Sequence, residues 1–160
     1  MAKKDLDSLI NFIKFLAEKT DQARVDKAKK MLKASHFKLF SEFNDDHLVG
    51  VVKSQTDPDL VYSCRIDKTG NFSCCTQNLY SCGGLRGKPC KHLLVLIIGL
   101  VQAGEISVNK INKWLSKTAN NKPKLDKNLM SETFLRYKGA ESGEIEWHPT
   151  ETIPEDYYTI

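Results

Sequence analysis

The sequence lacks any apolar run long enough to cross a membrane. Its longest run, Leu93 to Val101, has nine residues, whereas a membrane-spanning helix needs about 20. No secretory signal is recognisable either, because charges interrupt the early apolar positions and no small-residue cleavage pattern follows them. We therefore expect a cytoplasmic protein without a membrane partner, in which the apolar run is a buried core helix.

The sequence also lacks the patterns of disulfide frameworks, thiol enzymes and phosphate-binding loops. Its five cysteines are an odd number, and no Cys-x-x-Cys pair occurs among them, which favours a metal site or free thiols. A phosphate-binding loop has a Ser or Thr directly after its lysine, whereas the stretch GGLRGKP has a proline there. A catalytic zinc site would need an acidic base, and residues 72–94 contain none. We expect no enzymatic activity and no small-molecule substrate.

Basic residues are missing from the end of the chain. Residues 139–160 contain six acidic residues and no Lys or Arg, whereas residues 86–138 contain eleven Lys or Arg against three acidic residues. A basic body with an acidic tail favours polyanion binding, docking onto a basic partner, or a tail that folds back on its own body.

Hydrophobic periodicity predicts an α+β fold built as one compact domain. Apolar residues recur at helical spacing near the start of the chain, and four short β-rich runs separated by turn-prone clusters then predict a four-stranded antiparallel meander. Flanking helices and an extended tail complete the prediction. The segments are an N-terminal helical pair, the β-meander with a cysteine-rich unit, C-terminal helices and an acidic aromatic tail: residues 1–35, 36–104, 105–138 and 139–160.

Four of the five cysteines lie in residues 72–94, FSCCTQNLYSCGGLRGKPCKHLL, together with one histidine. A structural zinc ion needs four sulfur or nitrogen ligands. Cys90 and His92 can bind one ion together if the first stands at the cap of the apolar helix, where the backbone is not yet helical. Glycines at 83, 84 and 87 permit the turns that wrap a small ion. The window therefore predicts one structural Zn²⁺.

Five candidate ligands compete for four positions. Adjacent residues of a strand point to opposite faces, so Cys74 and Cys75 cannot easily reach one ion together. We predict that the metal ligands are Cys74, Cys82, Cys90 and His92, with Cys75 as the alternative ligand. Cys64 lies in the middle of a predicted strand and is expected outside the reach of the others. The remaining histidines, His36, His47 and His148, show no ligand spacing.

A β-hairpin that ends in cysteine, a loop, and PCKHLLVL at the start of an apolar helix resemble the SWIM zinc finger. That family has a ββα arrangement with the pattern C-x-C, a spacer and C-x-H. Residues 90 and 92 match the second half, and the resemblance covers about residues 48–103. The first half departs from the pattern, because cysteines occupy positions 74, 75 and 82 instead.

The longer string is also similar to small bacterial SWIM proteins that accompany MoxR-type AAA+ ATPases and von Willebrand factor A proteins. This resemblance implies a non-enzymatic adaptor, an accessory subunit whose protein partner is such an ATPase or von Willebrand factor A protein. SWIM domains are also often proposed to bind nucleic acid, and the basic loop and helix 107–118 make this the alternative. The residues predicted to contact partners are Arg86, Lys88, Lys91, Lys110, Lys113, Lys117, Trp147, Tyr157 and Tyr158.

Overall fold

The computed structural model describes residues 3–33 and 38–142 of the chain. They form an α+β fold with a four-stranded antiparallel sheet and five helices, which confirms the predicted fold class and the meander. In chain order the elements are α1 Lys3–Lys19, α2 Gln22–Lys33, β1 Lys38–Phe43, β2 His47–Lys53, β3 Val61–Asp67, β4 Phe72–Thr76, α3 Lys91–Gln102, α4 Val108–Thr118 and α5 Lys127–Ser142.

The sheet has the strand order β1-β2-β3-β4, and each strand pairs antiparallel with the next. A tight turn between β3 and β4 fixes their register. The Asp67 carboxylate accepts hydrogen bonds from the backbone of Thr69 and Asn71, and Gly70 adopts a φ of +84°, which glycine allows without strain. As a consequence, Cys64 stands directly opposite Cys74.

Helix α3 lies in the centre of the main core. It contacts the sheet on one side and helices α1 and α2 on the other, and every residue from His92 to Leu100 is buried. A helix that is apolar on all faces needs such complete burial. The prediction of a buried core helix at this position is confirmed.

Helix α5 packs on the opposite face of the sheet and closes a second, smaller core. This core contains Met130 and Phe134 of α5 against Phe40, Val51 and Cys75 of the strands. The two faces of the sheet are therefore both covered, by α3 on one side and by α5 on the other.

The end of the chain is described as far as Ser142. Helix α5 continues to Ser142, so the expectation that residues 139–142 are extended was wrong; Ala140 is 2% exposed and belongs to the second core. The predicted partner residues Trp147, Tyr157 and Tyr158 lie outside the described residues. Within residues 3–33 and 38–142, no helix is both long and apolar enough to cross a membrane.

Candidate metal centre

Strand β4 carries two adjacent cysteines that point to opposite faces of the sheet. Cys74 faces α3 and belongs to the main core, whereas Cys75 faces α5 and belongs to the second core. Both thiols are fully buried. The alternation expected of a strand thus separates the predicted ligand from its alternative.

The chain returns to Cys74 through a short turn after β4. The carbonyl of Tyr80 accepts a hydrogen bond from the Thr76 amide at 2.9 Å, and the Cys82 amide donates to the Cys74 carbonyl at 2.9 Å. This second bond places the two cysteines side by side although seven residues separate them. The Gly84 amide then donates to the Cys82 sulfur at 3.4 Å, an interaction that favours the thiolate.

Cys90 and His92 are brought together by the start of α3. Cys90 is the residue before the helix, with φ −84° and ψ 171°. Its backbone is therefore extended, and its side chain does not have to point in the direction that a helical residue at this position would require. His92 lies in the first helical turn. The expected geometry for two ligands in a Cys-x-His pattern is therefore present.

The side chains of Cys74, Cys82, Cys90 and His92 meet at one point. Their potential ligand atoms all lie within 4.8 Å of one another, and they can hold a metal ion. The Nδ1 atom of His92 is 3.5 Å from the Cys82 sulfur and 3.9 Å from the Cys74 sulfur. His92 is 3% exposed and Cys82 is 9% exposed, so protein surrounds the centre on nearly every side. Cys75 is not part of this group.

The three thiols differ in how readily they ionise. Hydrogen bonds from the thiols of Cys74 and Cys90 hold the pKa of Cys82 well below its usual range, with a further contribution from His92. Burial raises the pKa of Cys74 and of Cys90. The lowered pKa favours a thiolate at Cys82, and a bound cation would compensate the negative charge that burial disfavours at Cys74 and Cys90.

Tyr62 of β3 covers the histidine of the centre. Its ring stacks on the His92 imidazole with centroids 3.8 Å apart and planes inclined by 18°. Partial burial, followed by the neighbouring thiols, raises the pKa of Tyr62, which keeps the ring neutral. The stack restricts the orientation of the imidazole, a role that the sequence pattern alone did not indicate.

Cys64 lies much closer to the centre than the sequence predicted. Its sulfur is 3.7 Å from the Cys74 sulfur, and the side chain is fully buried. The expectation that Cys64 would be out of reach was wrong, because the register of β3 and β4 places it directly opposite Cys74. Cys64 is still outside the group of four whose ligand atoms are mutually close.

A positively charged clamp from α2 holds the metal loop, which we define as residues 77–89. The Arg24 guanidinium donates from Nε and Nη2 to the Gly84 carbonyl at 3.2 and 2.9 Å, and from Nη2 to the Leu85 carbonyl at 2.8 Å. Its Nη1 atom pairs with Asp21 at 2.8 Å. From the loop side, the Lys88 ammonium donates to the Thr20 carbonyl at 3.0 Å. The loop is therefore fixed by contacts from outside itself.

Arg24→Ala is expected to loosen the metal loop and to lower the free energy of unfolding by about 2–3 kcal/mol, because charged hydrogen bonds to two carbonyls are lost. Chelator competition should show faster metal loss from this variant, and urea denaturation should show the lower stability. Arg24→Lys should restore only part of the effect, since an ammonium cannot reproduce the planar fork. Lys27→Ala, an exposed cation one turn along the same helix, is the matched control and should change little.

Most of the cations predicted to contact a partner molecule form hydrogen bonds or ion pairs within the protein. The Lys91 ammonium bonds the Gln55 side chain at 3.0 Å, and Lys110 pairs with Asp45 at 2.9 Å. The Lys117 ammonium donates to the Lys68 carbonyl at 3.1 Å, and Lys88 takes part in the clamp. Arg86 in the metal loop and Lys113 on α4 are exposed.

Cys75 provides a pH-dependent test of the second core. Burial raises its pKa from 9.0 to about 12, so at pH above 9 the unfolded chain loses this proton while the folded chain keeps it. Stability is therefore complete below pH 9 and falls by about 1.4 kcal/mol per pH unit above it. Urea denaturation of metal-loaded protein between pH 8 and 10.5 should show a steeper decline than for Cys75→Ala. Parallel profiles would contradict the burial of this thiol.

Comparisons with known proteins were made against protein-family models, curated proteins and solved structures, and none of the three found a match for this chain.

Proposed function

We propose that Cys74, Cys82, Cys90 and His92 hold one structural Zn²⁺, and that the protein is a non-enzymatic adaptor. The observation that carries this proposal is the buried group of four ligand atoms within 4.8 Å. Three thiolates and an imidazole are a ligand set typical of structural zinc, which uses four protein ligands and leaves no open position. Bound zinc would tie β4, the metal loop and α3 together at one point.

The arrangement around the four residues supports the resemblance to a SWIM zinc finger. Strands β3 and β4 form a hairpin, and α3 follows after the loop, which gives the ββα order of that family. Cys74 comes from the hairpin, and the C-x-H pair comes from the start of the helix. In this proposal Cys82 takes the place of the second cysteine of C-x-C, because its hydrogen bond to the Cys74 backbone brings it alongside.

The adaptor role follows from the same resemblance, and its partner is an AAA+ ATPase or a von Willebrand factor A protein. The test is affinity capture with the zinc-loaded full chain as bait, followed by mass spectrometry. Two matched baits are used. One is Cys82→Ser, which should lose the zinc ion and the ordered conformation of the metal loop, and the other is a chain lacking residues 143–160. Enrichment of either partner class by the full chain, and its loss with Cys82→Ser, would support the proposal. Enrichment of neither class would reject it.

Nucleic-acid binding is the second candidate, and the exposed cations Arg86 and Lys113 favour it. Internal contacts of Lys88, Lys91, Lys110 and Lys117 count against a continuous phosphate-binding track. Binding of a single-stranded oligonucleotide that weakens steeply with rising salt would support this function. Absence of binding at low salt, with the tail removed, would reject it.

A further inference from the structure

A cavity of about 710 Å³ lies beside the metal centre, between the start of α2, the metal loop and the start of α3. This volume is within the range of about 300–1,000 Å³ typical of small-molecule sites. Cys82, His92 and Tyr62 border it, so the cavity adjoins the ligands and the stacked tyrosine. We call it the α2–loop cleft.

The α2–loop cleft carries more positive charge than the protein neutralises. Its cations are Arg24, Lys27, Arg86, Lys88 and Lys91, and the only carboxylate that the described residues place in its lining is Asp21, which already pairs with Arg24. A divalent ion bound by three thiolates and a neutral imidazole would add one negative charge. Three positive charges then remain uncompensated, although like charges in one cleft repel each other. This excess exceeds what is needed to offset the charge of the metal centre, and it makes the cleft electrostatically favourable for an anion.

Two of the five cations are free to contact such an anion. The other three hold carbonyl or amide oxygens of the protein, whereas the side chains of Lys27 and Arg86 make no hydrogen bond or ion pair with the described residues. Arg86 also has a φ of +38°, a left-handed conformation that is uncommon for a residue with a long side chain. Such backbone strain is frequent at binding sites, and here it sets the position from which the guanidinium extends.

We infer that the α2–loop cleft binds a small ligand with a phosphate or diphosphate group, such as a nucleoside phosphate. The Arg86 guanidinium offers a bidentate fork for phosphate oxygens, and the ammonium group of Lys27 supplies a second contact from α2. A phosphate monoester carries about −1.5 to −2 charges, and a diphosphate about one more, which suits the excess of three. Tyr62 also borders the cleft; one face of its ring is stacked on His92, which leaves the other face for a base.

A compact ligand fits the surroundings better than an extended nucleic acid strand. The turn before Tyr62 carries Asp57, whose negative charge acts on the tyrosine and would repel a polyanion that continued past the cleft. Away from the cleft, Lys110 and Lys117 of α4 are held by internal contacts. Arg24, Lys27, Arg86, Lys88 and Lys91 thus line a single cavity and do not form a continuous track with the cations of α4. This inference goes beyond the adaptor role and does not depend on it.

The test is isothermal titration of the zinc-loaded full chain at 150 mM salt with four probes: inorganic phosphate, pyrophosphate, adenosine diphosphate and a 12-nucleotide single strand. Pyrophosphate or adenosine diphosphate should bind one to one. Lys27→Gln and Arg86→Asn should each weaken binding about tenfold or more; asparagine tolerates the left-handed backbone, so the loop is preserved. Lys113→Gln removes the same charge from α4 and should change affinity less than twofold.

Three results would overturn the inference. The first is no heat change with pyrophosphate and adenosine diphosphate up to millimolar concentration. The second is an equal loss of affinity in Lys113→Gln, which would indicate general electrostatic attraction. The third is binding of the oligonucleotide alone, which would favour a nucleic acid surface. Zinc content and circular dichroism of each variant show whether the fold is intact, and none of these results bears on the partner-capture experiment.

Discussion

Cys74→Ser and Cys82→Ser are each expected to abolish stoichiometric metal binding, whereas Cys75→Ser should still bind one metal ion per chain. Cys74 and Cys82 contribute sulfurs to the group of four, whereas the Cys75 thiol lies on the other face of the sheet. Replacing even a residue that only supports a metal ligand costs about 10–100-fold in metal affinity, so loss of a ligand should cost more than about 100-fold. Elemental analysis after dialysis against a weak chelator measures the metal content directly.

The same three variants should differ in structure as well as in metal content. The metal loop has few apolar contacts of its own. Its buried side chains are Cys82 and Leu85, together with Pro89, which lies just before α3. Metal coordination is therefore expected to supply much of its stability, as it does in small zinc domains. Limited proteolysis should cut the loop in Cys74→Ser and Cys82→Ser, while circular dichroism should retain the signal of the apolar core around α3.

Two control variants make this prediction specific. Cys75→Ser places a hydroxyl in an apolar core and should cost about 1–3 kcal/mol without loss of metal. Cys64→Ser changes the thiol that touches the Cys74 sulfur and should also keep one metal ion. If Cys75→Ser lost the metal and Cys82→Ser retained it, the assignment of Cys82 as a ligand would be wrong. Retention of metal by all four variants would contradict the site as a whole.

Local patterns in the sequence were sufficient to predict the helices and strands, and to predict which four residues, Cys74, Cys82, Cys90 and His92, lie close together. Apolar spacing marks the helices, turn-prone clusters separate the strands, and strand alternation separates Cys74 from Cys75. Each of these signals depends on residues close together in the chain. They could be read without knowledge of how distant segments pack.

Contacts between distant segments could not be predicted in the same way. Arg24 reaches carbonyls 60 and 61 residues away, and nothing in the composition of α2 distinguishes this arginine from a solvated cation. The position of Cys64, which was predicted wrongly, could have been predicted from the sequence, since counting back from the turn at Gly70 places it opposite Cys74. The end of α5 was missed because the sequence from Gly139 onward shows little helical periodicity, whereas burial of Ala140 in the second core outweighs the low helix propensity of glycine.

Gly50→Val is expected to destabilise the protein by about 3 kcal/mol or more, and Gly50→Ala by about 1–3 kcal/mol, because both overpack the main core. Gly50 lies in β2 between Ser41 of β1 and Cys64 of β3. A Cβ atom there would stand 2.5 Å from Leu96 Cδ1 and 2.7 Å from the Phe40 carbonyl oxygen. Leu96 is fully buried and the carbonyl belongs to the backbone, so neither can move away cheaply.

The absence of a side chain at Gly50 therefore sets how closely α3 approaches the sheet, and with it the position of the residues at the start of that helix. Urea denaturation of metal-loaded protein measures the loss of stability. Gly83→Ala is the matched control, because a Cβ atom at that position meets nothing within 4 Å; its stability should stay within about 0.5 kcal/mol of the parent. A Gly50→Ala variant as stable as this control would show that α3 packs on β2 less closely than these distances indicate. A loss of stability with unchanged metal stoichiometry would show that the core and the metal centre contribute separately to the fold.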